Sequence, residues 1–311
     1  MLGSTAFVFP GQGSQSVGML SALAQDFSIV RDTFAEASDI LSYDLWTLVQ
    51  EGPAERLNQT LHTQPAMLAA GVAIYRVWVE ESGTQPDFMA GHSLGEYTAL
   101  VCAESLAYRD ALALVVDRAR FMQEAVPEGM GGMIAILGMA DEDIMRLCKE
   151  QARGDVLEPA NFNSPGQLVV AGSQAAVQRL ADAAGNAGAK KVVILPVSIP
   201  SHCSLMHPAA ARLAERLDGV TLEIPKVPVV NNVDVRTLNQ PEQIKDALVR
   251  QLYSPVRWSE SIRYLARQGM AAVVELGPGR VLSGLTKRID RSLLAMAIED
   301  SATLEQAMDK I

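Results

Sequence analysis

The chain has 311 residues, 49% of them hydrophobic and 20% charged, enough apolar material to bury a substantial core. No apolar run reaches the roughly 18 residues of a membrane span, and the first residues lack the basic-then-apolar pattern of a secretory signal. The net charge of −10 argues against general nucleic-acid binding. Three cysteines, Cys102, Cys148 and Cys203, cannot all pair and follow no metal-site spacing, so the expected setting is reducing and cytoplasmic.

Short β-type runs alternate with longer helical patterns, which indicates an α/β architecture. AFVFP at 6–10 predicts a buried opening strand, followed directly by PGQGSQ at 10–15. Ser16 stands where G-x-G-x-x-G needs its third glycine, and there is no G-K-[ST], so this loop is a poor nucleotide site. A Gly-Gln-Gly turn at a strand end does allow close backbone approach to a ligand, and its amide can serve as an oxyanion donor. A plain surface turn is the alternative. Residues 64–80 read as a helix with a heavy apolar face.

Residues 88–90 predict a short buried strand leading into AGHSLGEY at 90–97. Here Gly91, Ser93 and Gly95 have G-x-S-x-G spacing, which permits a tight strand-to-helix turn with the serine hydroxyl at its apex. A helix over 96–102 would put the amides after Ser93 at a helix N-terminus, where developing negative charge is favoured. The competing reading is a glycine turn with a capping serine.

Next comes a helix over 110–125, with Leu112, Val115, Ala119 and Met122 as one apolar stripe at 100° per residue. Arg118 falls at the edge of that stripe, with Asp117 and Arg120 on the far side. An arginine on a core-facing surface must find an anion, because an unpaired buried guanidinium is costly. Either a structural salt bridge or a bidentate contact to a substrate carboxylate meets that need.

The glycine-rich stretch 127–132 opens a compact pattern. Strand 133–139, helix 141–152, strands within 158–163 and 167–172, helix 174–188 and strand 190–198 give the order β-α-β-β-α-β. That order predicts a ferredoxin-like small subdomain at 129–197, inserted into a large α/β subdomain made of 1–128 and 198–311, with a cleft between them. Further buried strands are expected near 227–232 and at 271–277.

A nucleophilic serine needs a general base, usually imidazole. The four histidines are His62, His92, His202 and His207. His92 abuts Ser93 but should leave the turn in another direction, and His207 precedes Pro208 at a helix entry. His202 follows a strand in a loop of small residues, a place from which it can reach across a cleft.

PGQGSQ, QPA, GHSLGEYTAL, RARFMQEA, NFNSPGQ, PVSIPSHCSLM, VPVVNNVD, QLYSPVRW and ELGPGRVL occur in this order along nearly the whole chain. Together they resemble the malonyl-CoA:acyl carrier protein transacylase family of bacterial fatty acid synthesis, which shares core motifs with the acyltransferase domains of polyketide synthases. The resemblance implies an α/β-hydrolase-like core with the ferredoxin-like insert. It implies an S-malonyltransferase working through a malonyl-serine intermediate, with no metal or redox cofactor. By the same resemblance, Ser93 is the acylated serine, His202 its base, and the Gln12 and Leu94 amides the oxyanion donors. Arg118 would receive the malonyl carboxylate, the Gln251 carbonyl would orient the histidine, and His92, Asn161 and Met122 would lie near the site. The implied partners are malonyl-CoA and an acyl carrier protein.

Acyl carrier proteins are typically acidic, so a chain at −10 needs a local basic patch to receive one. Lys190-Lys191 and Arg280 with Lys287-Arg288 are the candidates, although ordinary solvated helix charges would look the same. Two other classes use parts of the same pattern. One is a serine hydrolase with the same elbow and histidine, the other a non-catalytic binding module that keeps the cleft alone.

Overall fold

In the computed structural model, which describes residues 4–82, 84–197 and 199–311, nine strands divide between two sheets. In chain order they are β1 Thr5–Phe9, β2 Phe88–Gly91, β3 Gly131–Leu137, β4 Leu157–Ser164, β5 Gln167–Ser173, β6 Lys191–Ile194, β7 Val229–Val230, β8 Ala272–Leu276 and β9 Leu294–Ile298. The first sheet has the order β7-β2-β1-β8-β9, and every pairing in it is parallel.

β1 is central in that sheet and buried along its whole length. Its side chains alternate between two cores: Phe7 and Phe9 pack with Leu68, Val72 and Trp78, whereas Ala6 and Val8 pack with Trp258 and Ile262. A strand covered on both faces needs apolar residues at every position, which is why AFVF carries no polar alternation. The helix Thr60–Ser82 runs beyond the expected 64–80 at both ends and supplies much of one covering layer.

The second sheet is antiparallel, in the order β4-β5-β3-β6. Helices Asp141–Ala152 and Gln174–Asn186 close a separate small core with it, built from residues such as Ile134, Leu147, Leu168 and Leu180. From Gly131 to Ile194 the elements follow the order β-α-β-β-α-β.

Two expected strands are shorter than their apolar runs. The one over 190–198 stops at Ile194, because Pro196 has no amide to donate and the chain leaves the ladder. Its last expected residue, Ser198, lies outside the described residues, as do residues 1–3 of the opening segment. The strand near 227–232 contracts to Val229–Val230. Pro228 precedes it without an N–H, and the amides of Asn231 and Asn232 donate instead to the Arg236 carbonyl and the Glu96 carboxylate.

The loops leaving the carboxyl ends of β1 and β2 lie side by side, since those strands pair in register from Ala6↔Phe88 to Phe9↔Gly91. In open parallel sheets this end is where ligands bind.

Candidate active site

β2 ends at Gly91 and the helix Gly95–Cys102 begins two residues after Ser93. A methyl group on Gly91 would stand 1.8 Å from the Gly95 carbonyl carbon, and one on Gly95 would stand 2.0 Å from the Phe9 carbonyl oxygen. Only hydrogen fits at either position, and that close approach is what the G-x-S-x-G spacing encodes. Ser93 itself adopts φ 51°, a conformation costly for a residue with a side chain. Asn232 holds the turn from both sides: its Oδ1 accepts the Ser93 N–H at 2.7 Å and its Nδ2 donates to the Gly91 carbonyl at 2.7 Å.

His202 meets the serine within the same cavity, with Nε2 2.8 Å from Ser93 Oγ. Its Nδ1 lies 2.7 Å from the Gln251 carbonyl oxygen. A carbonyl can only accept, so Nδ1 carries the proton and Nε2 presents its lone pair to the hydroxyl. Burial, reinforced by the Arg118 cation, pulls the imidazole down from 6.5 to about 3, so the ring is a neutral base. The loop carrying it is pinned by the His202 N–H to the Leu252 carbonyl. Glu158 of β4 also accepts from the Ser204 amide at 2.7 Å and the Ser204 hydroxyl at 2.8 Å.

Arg118 lies in the helix Tyr108–Ala125 and is only 1% exposed, deeper than the stripe edge suggested. Its guanidinium donates to Gln64 Oε1 at 2.9 Å, Gln251 Oε1 at 3.1 Å and Ser93 Oγ at 3.1 Å. All three acceptors are uncharged, Nε has no partner, and among the described residues no carboxylate pairs with it. The salt-bridge alternative therefore fails, and a buried cation is left facing the serine. A guanidinium without a carboxylate partner is costly to bury, and the Tyr97 ring 5.4 Å from it and the nearby Glu96 offset part of that cost.

Ser93 and His202 open onto a cavity of about 390 Å³, whose walls also include Gln12, Leu94, Arg118 and Met122. Asn161 of β4 and His92 line it as well. The main-chain amides of Gln12 and Leu94 have no intramolecular hydrogen-bond partner among the described residues. Gln251 sits behind the cavity, fully buried. His92 turns away from the serine, donating through Nε2 to Asn163 Oδ1 at 2.9 Å. His62 and His207 contact Tyr43 and Tyr253 and do not enter the cavity. A roomier hollow of about 590 Å³ beside Cys102 and Tyr108 holds no histidine, and burial pushes the Cys102 thiol well up, away from thiolate chemistry.

Lys190, Lys191, Arg280, Lys287 and Arg288 are all exposed. Arg280 is ion-paired with Glu299, and Arg288 donates to Gln167 Oε1 at 2.9 Å, joining the helix Val281–Ile289 to the start of β5.

Reasoning from residue patterns passed over Gln64, Glu96, Asn163 and Asn232. Gln64, Glu96 and Asn232 had a visible signal, a polar side chain at the edge of an apolar run or inside one, whereas Asn163, in NFNSPGQ, had none. In EYTALVC, for example, Glu96 is the only charge, and it is 2% exposed.

Residues 6–303 match the acyl transferase domain family, and the chain belongs to it. It is 57% identical over 303 residues to the malonyl CoA-acyl carrier protein transacylase of Salmonella typhimurium, covering 97% of this chain and 98% of that one. Among solved structures, a type II PKS acyl-carrier protein in complex with its malonyl-transacylase matches with a TM-score of 0.98 at 56% identity, covering 99% of this chain and 100% of that one. An acyl carrier protein S-malonyltransferase from Vibrio cholerae matches with a TM-score of 0.95 at 54% identity, covering 98% of this chain and 100% of that one.

Proposed function

We propose that the chain is a malonyl-CoA:acyl carrier protein S-malonyltransferase that works through a malonyl-serine intermediate. The observation that carries this reading is the Ser93–His202 pair at 2.8 Å, set beside a buried arginine whose hydrogen bonds all go to uncharged groups. In malonyl-CoA the free carboxylate is one methylene beyond the thioester carbonyl. Arg118, 3.1 Å from Ser93 Oγ, is within reach of it when Oγ attacks. A longer or neutral acyl group would leave that cation unmatched.

In the first half-reaction Ser93 Oγ attacks the thioester carbonyl while His202 Nε2 takes its proton. The Gln12 and Leu94 amides, free of other partners, receive the oxyanion. The tetrahedral centre collapses, the C–S bond breaks, and the imidazolium returns its proton to the departing CoA sulfur. In the second half the carrier's phosphopantetheine thiol gives its proton to His202, attacks the ester, and Ser93 leaves with the proton back on Oγ. No aspartate takes part, because the Gln251 carbonyl fixes the imidazole. The route draws on side chains and backbone alone, with no metal or redox cofactor.

The architecture reads as an α/β-hydrolase-like large subdomain (1–128 and 198–311) and a ferredoxin-like insert (129–197). The strand order β4-β5-β3-β6 with two helices supports the second term. Three free, buried cysteines support a reducing, cytoplasmic setting.

Mixing the protein with malonyl-CoA, with and without acyl carrier protein, separates transfer from hydrolysis and from mere binding. Transfer predicts an intact-mass adduct that the carrier discharges. Ser93→Ala should abolish the adduct, and His202→Ala should slow its formation by orders of magnitude. Rapid acylation of Ser93→Ala would require a different nucleophile.

A further inference from the structure

Glu96 is in the first turn of the helix that follows the elbow, buried, and outside the cavity. Its Oε2 accepts two hydrogen bonds, from Gln251 Nε2 at 2.8 Å and from the Asn232 backbone N–H at 3.0 Å. Each donor belongs to a residue that holds the reacting groups. Gln251 accepts from Arg118 through its side-chain oxygen and from His202 through its carbonyl, and its amide nitrogen also donates to the Ser93 carbonyl at 3.1 Å. Asn232 clamps the Ser93 turn. The two ends of a glutamine amide are nearly the same shape; here Arg118, which can only donate, takes the oxygen end, and two acceptors, the Ser93 carbonyl and Glu96 Oε2, hold the NH₂ end.

We propose that Glu96 is a positioning residue for acyl transfer: one carboxylate oxygen sets the Gln251 amide and the Asn232 backbone, and through them Arg118, His202 and Ser93. The inference rests on the serine mechanism proposed above. Its agency is the place of an acceptor atom rather than a charge. Burial pushes the Glu96 carboxyl up to about 7, against the hydrogen bonds from Gln251 and Asn232 and the nearby Arg118. A proton carried on Oε1 leaves Oε2 free to accept both bonds.

Two conservative variants separate acceptor position from charge. Glu96→Gln keeps an oxygen at the same reach and removes the charge. Glu96→Asp keeps the charge and withdraws the oxygen by one C–C bond, about 1.5 Å. Rapid-quench acylation by malonyl-CoA and by acetyl-CoA gives the maximal rate and the half-saturating concentration for each. We expect Glu96→Gln near the wild-type rate. Glu96→Asp should fall by about 10²-fold in maximal rate with both acyl groups, the scale of a misplacement of about 1 Å, with any accompanying rise in half-saturation confined to malonyl-CoA. Glu96→Gln as slow as Glu96→Asp, Glu96→Asp at the wild-type rate, or a loss confined to half-saturation or to malonyl overturns the proposal. Ser93→Ala run alongside tests the mechanism itself, since an adduct there condemns the serine whatever the Glu96 variants do.

Discussion

Ser93, His202 and Arg118 are coupled electrostatically as well as by contact. The cation of Arg118 is the second cause, after burial, of the low basicity of His202. A carboxylate arriving at Arg118 cancels that field, so in the proposed mechanism malonyl binding itself strengthens the base. Arg118→Ala should therefore do two things. Malonyl transfer should lose about 2–5 kcal/mol of transition-state stabilisation, the range for truncating one partner of a buried charge pair, while acetyl transfer loses much less. Equal losses would make Arg118 a structural residue. The acid limb of kcat/KM for acetyl transfer should also move to higher pH, since one of the influences depressing His202 is gone. A limb that stays put in the variant would show that the arginine does not act on the histidine. The same low basicity has a stability sign. The unfolded histidine, at about 6.5, binds a proton that the folded one refuses down to about 3, so stability should fall as pH drops through that window.

At the scale of elements, the elbow depends on β1, β2 and the following helix meeting without side chains between them. Gly95→Ala would set a methyl 2.0 Å from the Phe9 oxygen of the central strand, so strand or helix has to move. Overpacking of this kind typically costs about 1–3 kcal/mol and occasionally more. Urea unfolding followed by circular dichroism should record a loss in that range or larger, together with loss of acylation. A wild-type midpoint with full acylation would mean that the turn tolerates a side chain and that the glycine spacing had another cause. This turn was legible in the sequence because its constraint is local: five residues, two of them needing no Cβ. The helix carrying Arg118 was legible for a similar reason, since Leu112, Val115, Ala119 and Met122 recur at helical spacing and are all buried. β6 and β7 were read too long, because apolar runs extend past the point where proline or an inward-turned asparagine ends the ladder.

For the whole molecule, a net charge of −10 must be reconciled with the proposed carrier partner, which the family resemblance implies is acidic. Screening limits the reach of distant acidic surface to a Debye length of about 8 Å at physiological salt, so a local basic patch can dominate the encounter. Arg280 contributes less than its charge suggests, being paired with Glu299. Lys287 and Arg288, both exposed on the helix Val281–Ile289, are the stronger pair. Reversing both to glutamate should raise KM for acyl carrier protein while acylation by malonyl-CoA stays the same, because the first half-reaction does not involve the carrier. An unchanged KM in the reversed variant would move the docking surface elsewhere, with Lys190 and Lys191 next to test.

The sequence by itself determined the α/β alternation, the glycine elbow and the identity of a serine, a histidine and an arginine worth following. These rest on side-chain periodicity and on Cβ sterics, which act over a few residues. Only the tertiary structure decided how His202 meets Ser93, because that pair is 109 positions apart and is joined by strand order and loop packing. It likewise decided that Arg118 has no carboxylate, that Gln251 binds it from 133 positions away, and that Glu96 and Asn232 meet across 136. A local pattern can announce a polar residue in an apolar run, but its partner is chosen by the packing of distant elements.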